Sequence, residues 1–72
     1  MLTEAQIQAA MDAEAMLGVA IAHLRCSVVK LRTYGIDANY QKTEPIEALR
    51  REVRELLALD AAERLATHRA AA

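Results

Sequence analysis

The chain has 72 residues, a formal net charge of −1, one cysteine and only two aromatic side chains, Tyr34 and Tyr40. A single domain of this size buries only about 60% of its unfolded surface, so it needs a staple or a partner chain. Cys26 alone excludes an internal disulfide framework, no Cys/His cluster suggests structural zinc, and the near-neutral charge argues against a generic nucleic-acid or membrane-surface binder.

Oligomerisation is the staple that remains. Apolar residues make up 54% of the chain, sixteen of them alanine, with two glycines and one proline. Alanine, leucine, arginine and glutamate favour helix, while the β-branched and aromatic residues that strands prefer are scarce. The composition predicts an all-α chain: an antiparallel helical hairpin in one domain over residues 1–72, with a helix over about 3–34, a joint over 35–42 and a helix over about 44–69.

Thr3 is placed to cap the first helix, with Glu4 in the first turn, where the helix dipole favours an acid. Helical periodicity then runs to Tyr34. Gly35 reads as the left-handed residue that ends a helix, and Leu31 and Ile36 supply the apolar pair of a Schellman ending. One stripe of the first helix is Ile7, Ala10, Leu17, Ile21, Leu24, Val28 and Leu31, at heptad steps of three and four, with Glu14 at its one polar position. A second stripe, on another face, is Ala15, Val19, Ala22, Cys26 and Val29. A helix apolar on two sides sits between two neighbours.

The joint holds Tyr34, Asn39, Tyr40 and Lys42. Tyrosine buries much area with few rotors and is enriched at binding hot spots, so these four residues are expected to meet a partner protein. Thr43 is expected to cap the second helix, with Pro45 in its first turn. The stripe Ile46, Leu49, Val53, Leu56, Leu57, Ala61 and Leu65 should cover the large-residue stripe of the first helix. Asp60 to Glu63 has the spacing of a capping box, which would mark a kink or the start of a third short helix, although the alanines and leucines around it favour a continuous helix. Arg50, Arg51 and Arg54 form a basic cluster interleaved with glutamates, either a solvated face or a second partner-binding surface.

The small-residue stripe is then left for a second copy of the chain. In an antiparallel pair crossing at Ala22, Asp12 approaches Arg32 and Glu14 approaches Lys30 of the other copy. The expected dimer interface is Asp12, Ala15, Val19, Ala22, Cys26, Val29, Lys30 and Arg32, giving a four-helix arrangement.

No phosphate loop, nucleophile elbow or metal-helix motif occurs, and no cofactor or metal is expected. His23 and Cys26 are three apart and can meet on one face, but no third group orients them, so Cys26 reads as a packed, structural thiol. The chain is therefore expected to be non-catalytic. The longest uncharged stretch, Ala15 to Leu24, is too short to span a bilayer. No basic, signal-like start is visible, and the free thiol suits the cytoplasm.

The segment Tyr34-Gly35-Ile36-Asp37-Ala38-Asn39-Tyr40, followed by a Glu/Arg-rich helix, resembles small phage-encoded host-takeover proteins, particularly quorum-sensing anti-activators. The resemblance lies in organisation across nearly the whole chain. It implies a homodimer in the host cytoplasm that binds a LuxR-type activator and keeps it from DNA. The same organisation suits an anti-CRISPR protein or a secretion chaperone. A nucleic-acid-binding regulator using Arg50 to Arg54 is the reading from another class, disfavoured because two long antiparallel helices do not make a helix-turn-helix.

Overall fold

Thr3 starts the first helix through a reciprocal cap. Its hydroxyl accepts from the Gln6 amide at 3.1 Å, and the Gln6 side chain accepts from the Thr3 amide at 2.9 Å. A computed structural model describes residues 1–71, apart from the side chains of Lys42 and Ala71. In it, α1 spans Glu4–Thr33, a 3-10 turn spans Tyr40–Thr43, and α2 spans Glu44–Ala71. The chain is all-helical with no strand among the described residues, as composition predicts. No helix among the described residues is long and apolar enough to cross a membrane.

The first helix ends as Gly35 foretells. Its φ is +78°, the Ile36 amide donates to Leu31 O at 2.9 Å, and the Gly35 amide donates to Arg32 O at 3.0 Å. These are the two bonds of a Schellman ending, and they satisfy carbonyls that the helix leaves orphaned.

Three expectations are corrected. Thr43 does not cap α2. Its hydroxyl donates back to Tyr40 O at 2.7 Å, closing the 3-10 turn, and the residue is buried. The capping side chain of this region is Asn39, which accepts from the Gln41 amide at 3.0 Å. The second correction concerns length: α2 runs on to Ala71, carried by alanines in its last turns, whereas its end was expected near residue 69. A terminal run of alanines, Ala70 to Ala72, is expected to fray, and Ala72 lies outside the described residues. Across Asp60 the helix is continuous, so that residue makes no break.

The third correction is in the packing. Ile46, Val53 and Leu57 of α2 are half-buried against α1, but Leu49, Leu56 and Leu65 stay 48%, 47% and 51% exposed. A straight helix presents only positions spaced by alternating threes and fours to a single neighbour. On α2 those positions are Ile46, Arg50, Val53, Leu57, Asp60 and Arg64, three of them polar. On α1 the large-residue stripe faces inward as expected, with Ile21 and Val28 buried and Leu31 left at its edge.

The result is a narrow rod, 62 × 18 × 14 Å. The cross-helix partners run in opposite order along the two helices: Arg25 with Glu47, Glu14 with Arg50 and Arg54, Leu2 with Asp60. The hairpin is therefore antiparallel. Among the described residues the buried apolar side chains are Ile21 and Val28, and each contributes roughly 1.5–3 kcal/mol. Such a core is thin for a chain of this length.

Candidate protein-interaction surfaces

Polar clasps set the register of the hairpin and decide which side chains remain free. Glu14 Oε1 accepts from Arg50 Nε and from Arg54 Nε, both at 2.7 Å. The Arg54 hydrogen bond is the main cause that holds the Glu14 carboxyl below its ordinary value, with partial burial opposing and Arg50 adding to the effect. Gly18, one turn beyond Glu14, leaves room for the Arg50 guanidinium. A Cβ there would lie 2.7 Å from Arg50 Nη2. Arg25 pairs with Glu47 one step further along.

At the open end Asp60 binds the lead-in to α1. Its Oδ1 accepts from the Leu2 amide at 2.6 Å, and its Oδ2 accepts from Arg64 Nε at 2.7 Å. Arg64 also donates to Leu2 O, and the N-terminal ammonium lies 3.7 Å from Glu63. The Leu2 amide, more than the Arg64 bond, lowers the Asp60 pKa. The polar residues read as a possible kink thus clasp the segment that leads into the other helix.

Arg50 and Arg54 are therefore engaged inside the hairpin, and of the expected basic cluster Arg51 alone makes no ion pair among the described residues. Glu14 was expected to meet Lys30 of a second copy. It is instead committed within its own chain, because it stands at the helix seam where two arginines reach it. Arg32, placed by the sequence at the dimer interface, turns to the joint: its Nε donates to Ala38 O at 2.6 Å and its guanidinium sits 5.4 Å from the Tyr40 ring centroid. Asp12 accepts from Gln8 at 2.9 Å, and Lys30 is exposed.

The small-residue stripe of α1 faces solvent. Ala15, Val19, Ala22, Cys26 and Val29 are all exposed, with Met11 and Met16 beside them. Within one hairpin Cys26 is not packed, since α2 covers a different face of α1. Ala15, Met16, Val19 and Ala20 border an apolar depression of about 390 Å³.

At the joint the two tyrosines differ. Tyr34 is 77% exposed, while Tyr40 is 40% exposed and lies under Arg32. Asn39 spends its side-chain oxygen on the turn. The Lys42 side chain lies outside the described residues. Tyr34 and the 53% exposed Ile36 form the apolar tip.

No protein family, characterised protein or solved structure matches this chain. The functional reading therefore rests on its own surfaces. What the hairpin offers is apolar area and fixed polar clasps.

Sequence reasoning missed the clasps. Their signal was present in the polar residue of the α1 stripe, Glu14, and in the glycine four residues after it.

Proposed function

We propose that this chain is a non-catalytic protein-interaction module that works as a homodimer through the outer stripe of α1 and holds a partner protein at its joint. The observation that carries the reading is uncovered surface. The chain exposes 5662 Å², whereas a compact monomer of 7.9 kDa exposes about 4,400 Å². The surplus exceeds the roughly 800 Å² that each partner buries in a standard interface. Part of it is apolar and continuous along α1, from Met11 through Val19 to Val29.

Small residues at the centre of that stripe let two helices approach closely, and Ala22 lies at the crossing point. A second copy buries the stripe, including Cys26, and supplies the core that a single hairpin lacks. The joints then stand apart in the dimer, each presenting Tyr34 and Ile36. The engagement of Arg50 and Arg54 with Glu14 favours this reading over nucleic-acid binding, which needs free cations. The resemblance to phage anti-activators makes a LuxR-type activator the first partner to test, with occlusion of its DNA-binding function as the mechanism.

Sedimentation equilibrium across a dilution series tests the dimer. The reading expects a species of twice the 7.9 kDa chain mass. A single-chain mass at every concentration contradicts it. For the joint, Tyr34→Ala is expected to weaken binding of the activator by ~2 kcal/mol, about thirtyfold in Kd, with helicity retained.

A further inference from the structure

The hairpin has a second uncovered apolar face, distinct from the α1 stripe. Helical periodicity places it. Three residues after Leu17, Ile21, Val28, Ile46 and Val53 lies one flank of each helix, and four residues after Glu14, Ile21, Arg50 and Leu57 lies the other. On α1 the three-step flank carries Ala20, Leu24 and Leu31; on α2 it carries Leu49 and Leu56. The four-step flanks carry Gly18 and Arg25 on α1, and Arg54 and Ala61 on α2. Because the helices are antiparallel, both three-step flanks fall on one broad side of the rod.

Two clefts bear this division out. Met11 and Ala15 share a cleft with Arg54 and Leu57 on the four-step side. Leu24, Ser27, Val28 and Leu31 line a different cleft of about 310 Å³ with Asp37 and Asn39. On the three-step side Leu49 and Leu56 are half exposed, and Leu59 at its margin is 58% exposed. From Leu31 at one end to Leu59 at the other the face is ~30 Å long, the length of a helix of about 20 residues.

The charges on this face have one sign. Glu52 and Glu63 border it along α2, and Asp37 stands in the cleft at the joint. Among the described residues no lysine or arginine side chain lies on it: Arg25, Arg50 and Arg54 sit on the opposite flank, and Arg32 is held at Tyr40. Two copies of the face brought together would set acid against acid.

We infer that this leucine face takes an amphipathic helix of a partner protein, with an apolar stripe bordered by lysines or arginines. The inference rests on the interaction-module reading and gives it a partner chemistry. The apolar stripe of the incoming helix lies over Leu49 and Leu56 and along the alanines of α1, and its basic margins meet Glu52 and Glu63.

Fluorescence anisotropy with a labelled Leu/Lys amphipathic helix of about 20 residues tests this on the full chain. A Leu/Glu helix of the same pattern is the comparison. The Leu/Lys helix is expected to bind and the Leu/Glu helix to bind at least about tenfold more weakly, a difference of ~1.4 kcal/mol. Leu56→Lys is expected to weaken Leu/Lys binding by a similar factor, and Ala58→Lys, on the other side of α2, to leave it nearly unchanged. Equal binding of the two helices, or full binding by Leu56→Lys, overturns the inference. Loss of the dimer on sedimentation of Leu56→Lys also overturns it, because the face would then belong to a second copy. A monomeric wild type that still selects the Leu/Lys helix sinks the dimer alone.

Discussion

The guanidinium of Arg50 occupies the space that a side chain on Gly18 would fill: a Cβ there would lie 2.9 Å from Arg50 Cζ and 2.7 Å from Nη2. A glycine inside a helix costs about 1 kcal/mol relative to alanine. Here it allows the arginine to lie flat against α1 and reach Glu14, one turn earlier.

Gly18→Ala should therefore fail to stabilise the protein. The ~1 kcal/mol that alanine contributes elsewhere in a helix interior is offset by displacement of Arg50. In an Arg50→Met background the same substitution should recover its gain. A double-mutant cycle by urea unfolding measures the coupling, and additive effects would contradict the contact.

Acid should loosen the hairpin at both clasps. Glu14 and Asp60 have pKa values below their ordinary 4.5 and 3.8 in the folded chain. For carboxyls depressed on folding, the folded state binds fewer protons than the unfolded state. Their stabilisation is then full above those ordinary values and is lost as pH falls through the folded ones. Thermal melts from neutral pH to about pH 3 should show the midpoint falling in the acid range. Glu14→Gln and Asp60→Asn should each flatten that fall, and an unchanged slope in both would contradict the clasps.

Asp60→Ala should free the start of α1 without breaking α2. The Leu2 amide loses its acceptor and Arg64 loses its anchor. Hydrogen exchange should quicken at Leu2 and the first turn of α1, while amides on either side of residue 60 keep their protection. Quickened exchange centred on residue 60 itself would mean that the aspartate supports its own helix instead.

The tyrosines should separate stability from recognition. Tyr40→Ala removes the contact with Arg32 and should cost about 0.5–1 kcal/mol in urea unfolding. Tyr34→Ala, at a residue 77% exposed, should leave unfolding nearly unchanged. Equal losses would place Tyr34 in the core of the joint.

Much of the architecture was legible in the sequence because local rules set it. Thr3 caps, Gly35 stops a helix, and heptad steps on α1 mark the face that α2 covers. The α2 face was read only partly. Counting apolar residues favoured Leu49, Leu56 and Leu65, yet the seam is Arg50, Asp60 and Arg64 alternating with Ile46, Val53 and Leu57. Polar residues that face inward are invisible to a hydrophobic pattern unless their partners are paired across the hairpin, and that pairing depends on the register. The same limit hid the leucine face, because its members were counted as core. Thr43 has the side chain of a cap, but a 3-10 turn ahead of α2 redirects its hydroxyl.

The most direct test of the account is the mass of Ala22→Glu in solution. Ala22 is exposed within one hairpin, so the chain should keep its helicity by circular dichroism. At the crossing of two copies the substitution sets two carboxylates together, desolvated and unpaired, at a cost of several kcal/mol. Light scattering should then report single chains of 7.9 kDa, whereas the proposed wild-type dimer should give twice that mass. A folded Ala22→Glu variant that keeps the wild-type dimer mass would contradict self-association through the α1 stripe.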